Sequence, residues 1–222
     1  MAEYLMGIDA GTGSVRVALF DFRGQNRAYA VAEYGTTYPK NGWAEQSDYE
    51  WFEALKKAIP ECIKKAGIAA DNIAAITCDA TTNTLVYLDE NDTSVRPPIL
   101  WMDVRATEEA SFIDTIREEY DATKFYKPGF RADTMVPKCM WVKKNEPENW
   151  AKTKTIMEFE DWLNWKLTGR KTVSMSVAAF RWNYDDKNGG YPVDFYNAVG
   201  LDDVVDKADQ STGLPVDIAR EV

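Results

Sequence analysis

The sequence predicts an α/β fold that begins in a β-meander. Three short strand-like runs separated by turns occupy the first part of the chain, and segments of helical periodicity dominate the later part. No Ser/Gly/Pro-rich linker and no repeat of fixed period separates the two kinds of segment. We therefore expect strands and helices to belong to one α/β domain.

The meander is predicted from its alternation and its turns. Apolar and polar side chains alternate at period two from Val15 to Phe22, which is typical of a strand with one buried face. Glycine-containing turns precede and follow this run, and each turn is flanked by another strand-like run. The predicted strands are 4–9, 15–22 and 27–34.

A long helix is predicted to begin near Ser47. Ser47 and Glu50 have the spacing of a capping box, and Gly67 is typical of a helix end. Pro60 falls inside the helix, so we expect a kink or a break there. The predicted apolar face consists of Trp51, Leu55, Ile59, Cys62 and Ile63.

The rest of the chain mixes short strands with helices. The polar, turn-rich segment 183–196 is expected to be a surface loop. Strands are expected at 73–78 and 84–89, with 99–102 extending the sheet, and helices at about 106–119, 135–144 and 160–168.

Composition excludes several classes of function. The 222 residues carry a formal charge of −10, which disfavours nucleic acid and anionic lipid as partners and favours a neutral or cationic small molecule. The absence of histidine removes the Ser-His-Asp and Cys-His catalytic arrangements and the histidine-based zinc sites. The cysteines Cys62, Cys78 and Cys139 are scattered and form neither a disulfide framework nor a metal motif.

Apolar runs in the sequence are short. None approaches the roughly 20 residues of a membrane span. The first residues also lack the basic start and long apolar middle of a signal peptide. We expect no membrane association and a cytoplasmic location.

The glycine turn after the first strand carries the strongest indication of chemistry. Closely spaced glycines let backbone N–H groups converge on an anion, and Thr12 and Ser14 can donate hydroxyls. Asp9 stands directly before the turn, where a carboxylate can hold Mg²⁺ beside phosphates. A Rossmann motif would need glycine at Arg16 and a helix next, and a Walker A loop would need Gly-Lys-Ser/Thr. The simpler alternative is a hairpin turn capped by Asp9.

Residues 7–16 resemble the first phosphate motif of the FGGY family of carbohydrate kinases, within the superfamily of actin-like and hexokinase-like ATPases. Further motifs of that family follow in the same order along essentially the whole chain, and several ordered motifs are more specific than one. They include Trp-x-Glu-Gln at 43–46, the Leu-Trp-x-Asp-x-Arg-Ala signature within 96–106, Pro-Lys at 137–138, and Leu-Thr-Gly at 167–169.

The resemblance implies a ribonuclease H-like lobe with a mixed sheet flanked by helices. It also implies transfer of the γ-phosphoryl of ATP, with Mg²⁺, to a hydroxyl of a sugar or polyol. By the matched motif, Gly11, Thr12, Gly13 and Ser14 would line the phosphates of ATP, Arg16 would add positive charge, and Asp9 would organise the metal.

The sugar side of the resemblance lies later in the chain. Thr82 and Asn83 align best with substrate contacts of the family, and Trp101 and Asp103 are the other candidates. Core packing is the alternative for Trp101, and an ion pair with Arg105 or a nearby lysine is the alternative for Asp103. The stretch 79–82 resembles ribulokinase-like members more than glycerol kinases, and we expect a pentulose as substrate, as in ribulokinase- or xylulokinase-like members.

Members of the family are longer and have a second lobe. Their catalytic aspartate follows a segment that 213–216 resembles, so the base is expected beyond Val222 and no catalytic residue is assigned in this chain. We expect residues 1–222 to be the amino-terminal substrate- and phosphate-binding lobe, without the carboxy-terminal lobe and inactive alone. A homodimer of the full-length enzyme is compatible with the resemblance.

Two other functions stay open from the sequence. A non-sugar ATPase of the actin-like superfamily would use the same hairpin, although the sugar-side motif at 99–106 argues against it. A non-catalytic sugar-binding or regulatory half-kinase would keep the sugar contacts without the base.

Overall fold

Strands β1 (Tyr4–Ala10), β2 (Ser14–Asp21) and β3 (Asn26–Glu33) form the predicted antiparallel meander. Strand β4 (Ile73–Ala80) pairs in parallel with β1 and gives the order β3-β2-β1-β4. The prediction of a mixed sheet that starts in a meander and is flanked by helices is confirmed.

The computed structural model describes residues 3–124, 129–185, 187 and 190–209. These residues form two compact units, which we call unit 1 and unit 2. The described part of unit 1 consists of 3–37 and 46–82, and that of unit 2 of 38–45 and 83–209 without the gaps above. No change of composition marks this division in the sequence.

Helix α1 (Asp48–Ala66) begins and ends where its capping residues predict. The Ser47 side chain accepts a hydrogen bond from the Glu50 N–H, and Gly67 adopts the left-handed conformation at the carboxyl end. The second half of the capping box is replaced, because the Glu50 carboxylate accepts from the Gly35 N–H instead. The helix also continues through Pro60, so of the predicted kink or break, the break does not occur.

The core of unit 1 lies between the sheet and α1. Alternate residues of β1, β2 and β3 are buried, and α1 packs against β2 and β3. The buried residues of α1 are Trp51, Ala54, Leu55, Ala58 and Cys62.

Unit 2 contains a small sheet surrounded by helices. Strands β5 (Leu85–Leu88) and β6 (Thr155–Glu158) pair antiparallel and are fully buried. The helices are α2 (Thr107–Ile116), α3 (Met135–Asn145), α4 (Pro147–Lys152), α5 (Phe159–Thr168), α6 (Met175–Arg181), α7 (Val193–Ala198) and α8 (Val204–Asp209).

Two predictions for unit 2 are wrong. Residues 99–102 form no strand, since only Ile99 pairs, through isolated bridges to Leu85 and Glu45. Part of the predicted loop 183–196 belongs to α7, where Phe195 and Tyr196 are buried. Burial of two large aromatic side chains outweighs the polar, turn-rich composition around them.

Two further expectations concern the ends of the chain and the membrane. Among the described residues, no helix is both long enough and apolar enough to cross a bilayer. The segment 213–216, on which the expected position of the catalytic base rests, lies outside the described residues.

Candidate functional site

The glycine turn between β1 and β2 is held through its carbonyl groups. The Gly11 N–H donates to the Ser14 carbonyl at 3.0 Å, and the Tyr34 N–H donates to the Gly13 carbonyl at 3.2 Å. The Tyr34 hydroxyl lies 2.5 Å from the Gly11 oxygen and 3.1 Å from the Ser14 oxygen. Burial, with the nearby Asp9 carboxylate, raises the pKa of Tyr34 and keeps this donor protonated. The carbonyl dipoles that would repel an anion are therefore engaged by the protein.

Gln46 holds the remaining carbonyl of the turn. Its buried amide donates to the Thr12 oxygen at 2.6 Å and to the Thr36 hydroxyl at 2.8 Å. Its amide oxygen accepts from the Trp51 indole at 2.9 Å. The Trp-x-Glu-Gln motif is visible in the sequence, but this role of its glutamine is visible only in the structure.

Asp9 and Arg16 stand beside the turn on neighbouring strands. Arg16 Nη1 donates to Asp9 Oδ2 at 2.9 Å, both side chains are about half exposed, and the carboxylate raises the pKa of Arg16. Asp79 on β4 is the register partner of Asp9. A Cβ on Gly11 would lie 3.2 Å from Arg16 Nη1, so a side chain at position 11 would crowd this ion pair.

The chemistry of this corner fits Mg²⁺. Asp9, Arg16 and Asp79 line an open cavity of about 340 Å³ on unit 1. Mg²⁺ prefers carboxylate oxygens and usually takes only one or two from the protein, with water and phosphate completing its shell. Within the described residues no group of three or more His, Cys, Asp or Glu side chains could hold a metal by itself. Asp9 and its neighbour Asp79 supply the one or two carboxylates that such an ion usually takes from a protein.

On unit 2, Asn83 combines burial with an unusual backbone. Its φ of 57° lies in the left-handed region, which asparagine tolerates better than most residues. Its N–H donates to Glu158 Oε1 at 2.8 Å, and its carbonyl accepts from Lys138 Nζ at 2.6 Å. The side-chain oxygen is buried and makes no hydrogen bond to the described residues. The preceding residue, Thr82, is exposed on unit 1.

Trp101 is accessible. Its side chain is among the exposed large hydrophobic groups, with 41% of the residue exposed, so the core-packing alternative is wrong. The backbone N–H of Trp101 donates to the Thr84 hydroxyl at 3.3 Å, which connects Trp101 to the residue before β5. An indole face at this position can lie against the C–H groups of a sugar.

Asp103 lies in a different environment from the one expected of a sugar contact. Its carboxylate is completely buried and accepts from Arg105 Nε at 2.9 Å and from Arg105 Nη2 at 2.7 Å. It also accepts from the Ala44 N–H at 2.6 Å. The structure forms the alternative ion pair with Arg105 and leaves no exposed carboxylate oxygen for a ligand. Our assignment of Asp103 as a direct contact is corrected accordingly.

The Asp103 ion pair is part of a buried network. Arg105 and Arg96 both donate to Glu45 Oε1, at 2.8 and 2.7 Å, and Arg96 also donates to Glu146 at 2.8 Å. The Arg105 guanidinium also lies near two indoles, 4.0 Å from the Trp43 ring centre and 5.0 Å from that of Trp141. Residues from several of the family-like motifs thus meet in one structural cluster.

No role was predicted from the sequence for Lys138 or Glu158, both of which are buried. Burial lowers the pKa of Lys138 to about 7 and raises that of Glu158 to about 7. Both contact the backbone of Asn83, and neither is near it in sequence. Two signals for Lys138 were available: its place in the Pro-Lys motif at 137–138, and its position as a single charge among apolar residues at the start of α3.

The predicted site residues fall into two groups. The turn residues, with Asp9 and Arg16, lie together on unit 1, where Thr82 also belongs. Asn83, Trp101 and Asp103 belong to unit 2.

Comparison with known proteins identifies the family. The family model for the N-terminal domain of the FGGY family of carbohydrate kinases matches residues 4–204. A xylulose kinase of Lactococcus lactis is 29% identical and covers 98% of this chain and 44% of its own length. A xylulose kinase of Staphylococcus epidermidis is 30% identical over 91% of this chain and 40% of its own length. The chain therefore spans less than half the length of these relatives.

The fold comparison agrees with the sequence comparison. The crystal structure of a xylulose kinase from Rhodospirillum rubrum matches with a TM-score of 0.77 and 22% identity, covering 89% of this chain and 41% of that one. The expected actin-like ATPase class of fold is confirmed by this match. Because the family model matches most of the sequence, the chain belongs to the FGGY family of carbohydrate kinases.

Proposed function

We propose that the full-length protein transfers the γ-phosphoryl of ATP to a hydroxyl of a sugar or polyol. Residues 1–222 would form its amino-terminal, substrate- and phosphate-binding lobe. The observation that carries the proposal is the glycine turn, whose carbonyl groups at 11–14 are engaged by Tyr34, Gln46 and the turn itself. Such a turn is suited to bind an anion through backbone N–H groups.

The phosphate side of the reaction is assigned to unit 1. Gly11, Thr12, Gly13 and Ser14 would bind the phosphates of ATP. Arg16, which is paired with Asp9 in this structure, would add positive charge by also contacting the nucleotide. Asp9 would hold Mg²⁺, which neutralises charge on the transferred phosphoryl group when bound. No described side chain is assigned the role of catalytic base.

The sugar side is assigned to unit 2 and the adjoining Thr82. The buried side-chain oxygen of Asn83 would accept from a sugar hydroxyl, and Trp101 would cover an apolar face of the sugar. A substrate that lacks the hydroxyl would leave this buried oxygen unpaired at a cost of about 1–3 kcal/mol, which gives selectivity. Asp103 would act indirectly, by holding Arg105.

A pentulose is the proposed substrate class. The stretch 79–82 resembles that of ribulokinase-like members, and the relatives described above are xylulose kinases. We also propose a cytoplasmic location, because the proposed reaction consumes ATP.

The test is a turnover screen of the full-length protein with Mg-ATP. D-xylulose, D-ribulose, erythrulose and glycerol would be compared, and we expect the highest kcat/KM with one of the pentuloses. Asn83→Gly preserves the left-handed backbone and removes the amide, so it should raise the sugar KM. Asn183→Gly is the matched control, because Asn183 also has a positive φ, 53°, and is not assigned to the site.

The same screen separates the other two functions. ATP hydrolysis by the full-length protein that no sugar stimulates would favour a non-sugar ATPase. Saturable sugar binding without turnover would favour a non-catalytic half-kinase. Residues 1–222 alone should show no turnover, and sugar phosphorylation by that fragment at the full-length rate would contradict the proposed lobe assignment.

A further inference from the structure

Lys138 is a completely buried lysine that bridges two segments of unit 2. Its ammonium donates to the Asn83 carbonyl at 2.6 Å and to the Leu100 carbonyl at 2.8 Å. Leu100 directly precedes Trp101 in the chain. One side chain from α3 therefore joins the two segments that carry the candidate sugar contacts.

Glu158 binds the N–H of Asn83, whereas Lys138 binds the carbonyl of the same residue. Glu158 is completely buried at the end of β6, and its Oε1 accepts from the Asn83 N–H at 2.8 Å. The backbone of Asn83 is thus bound at both its N–H and its carbonyl. A non-glycine residue in the left-handed region is less stable than in the common regions, so these two contacts keep Asn83 in an otherwise unfavourable conformation.

The charges of this pair indicate a requirement beyond packing. Burial of a lysine and a glutamate costs free energy that an apolar pair of the same size would avoid. The Oε2 atom of Glu158 makes no hydrogen bond to the described residues, and Arg181 Nε is 3.9 Å from Oε1. Core stability alone therefore does not explain why these two polar residues are buried here. Holding the backbone of Asn83 does explain it, because Lys138 binds its carbonyl and Glu158 binds its N–H.

We propose that Lys138 and Glu158 are positioning residues that set sugar specificity. Lys138 fixes the spacing between the segments of Asn83 and Trp101, and Glu158 fixes the orientation of the Asn83 peptide. The side-chain oxygen of Asn83 then has one position relative to the Trp101 segment, and this position selects the configuration of the bound hydroxyl. The inference rests on the proposed sugar kinase function.

The first experiment uses Lys138→Met in the full-length protein. The methionine fills much of the same volume but donates to neither carbonyl. We expect the KM for the preferred pentulose to rise about tenfold, equivalent to about 1.4 kcal/mol, with the KM for Mg-ATP changed less than twofold. The ratio of kcat/KM between D-xylulose and D-ribulose should move toward one. Lys144→Met on the exposed face of the same helix is the control and should change none of these values.

A double-mutant cycle shows whether Lys138 acts through Asn83. In the Asn83→Gly background the amide is absent, so Lys138→Met should add less than twofold to the sugar KM. Full additivity of the two effects would indicate a general structural role and would overturn the inference.

A milder variant covers the case in which Lys138→Met does not fold. Glu158→Gln keeps the shape and an acceptor for the Asn83 N–H but removes the charge, and we expect the sugar KM to rise about threefold or more, or about 0.7 kcal/mol. Suppose that a folded variant of either kind keeps the wild-type sugar KM and the wild-type ratio of kcat/KM between D-xylulose and D-ribulose. That result would overturn the inference and leave the proposed function intact. If the wild-type protein phosphorylates none of the sugars, the proposed function fails first and the inference fails with it.

Discussion

The side chain of Gln46 connects the glycine turn to helix α1. Its three hydrogen bonds reach Thr12, Thr36 and Trp51. A glutamine can do this because its amide has both donors and an acceptor, and glutamate at the same place would offer acceptors alone.

Gln46→Glu should weaken both the fold and nucleotide binding. The new carboxylate would face the Thr12 carbonyl without a donor, so we expect a loss of about 1–3 kcal/mol in the free energy of unfolding. The KM for Mg-ATP should also rise, because the turn loses a support. Urea denaturation and steady-state kinetics measure the two effects. Gln25→Glu, in the exposed β2–β3 turn, makes the same change in charge and is the control; equal behaviour of the two variants would contradict the assigned role.

Glu158 should make the stability of the protein depend on pH. Burial raises its pKa from 4.5 to about 7 on folding, although the Asn83 N–H, Arg181 and Lys138 each lower it. A carboxyl group with a raised pKa binds protons on folding. Its contribution to the free energy of unfolding is therefore greatest below pH 4.5 and is lost as the pH rises to about 7. The free energy of unfolding of the wild type relative to Glu158→Gln should therefore fall between pH 5 and pH 8, by up to about 3 kcal/mol. Urea titrations at both pH values check this, with exposed Glu148→Gln as control; a constant difference would refute it.

At the level of elements, predictions succeeded where the determining contacts are local. The strands of the meander and the ends of α1 follow from alternation and capping residues within a few positions. Residues 99–102 and α7 were predicted wrongly because burial against distant residues decides their conformation. Strand β6 was missed for the same reason, since its pairing partner β5 lies some seventy residues away in the register of Leu85 with Glu158.

Helix α1 should become more stable when Pro60 is replaced. Proline inside a helix lacks an N–H and clashes with the preceding turn, yet α1 is continuous from Asp48–Ala66. Because Pro60 is exposed, Pro60→Ala should raise the free energy of unfolding by about 1–3 kcal/mol, reduced somewhat by the greater freedom of the unfolded chain. Urea denaturation measures it. Pro39→Ala, in an exposed loop, should give no increase, and a destabilised Pro60→Ala variant would show that the proline is required.

At the scale of the whole molecule, sequence motifs and structural clusters do not coincide. The proposed phosphate residues Gly11 to Ser14 form one compact turn, because they are consecutive in the chain. The partners of Asp103, by contrast, include Ala44, 59 positions earlier, and those of Arg105 include Glu45, 60 positions earlier. Their place in a motif singles out Asp103 and Arg105 in the sequence. It does not show that they form a buried ion-pair network with residues far away in the chain.

Two arginine–aspartate pairs allow a direct test of that interior role. Arg105 with Asp103 and Arg131 with Asp133 are both two-pronged pairs separated by one residue, but the first is buried and the Arg131 side chain is 69% exposed. Lysine cannot form both contacts of such a pair. Arg105→Lys should therefore cost about 3–5 kcal/mol and Arg131→Lys less than about 1 kcal/mol in thermal or urea unfolding. Similar losses for both would show that burial does not strengthen the pair.

The exposure of Trp101 has an optical consequence. The sequence contains eight tryptophans, all within the described residues, and Trp101 is the most exposed of them. Acrylamide should therefore quench the emission of Trp101 more strongly than that of the half-buried or buried tryptophans, and Trp101→Phe should remove the most quenchable, red-shifted part of the emission. A sugar that covers this indole would protect it from the quencher, so fluorescence can report occupancy without any turnover of ATP.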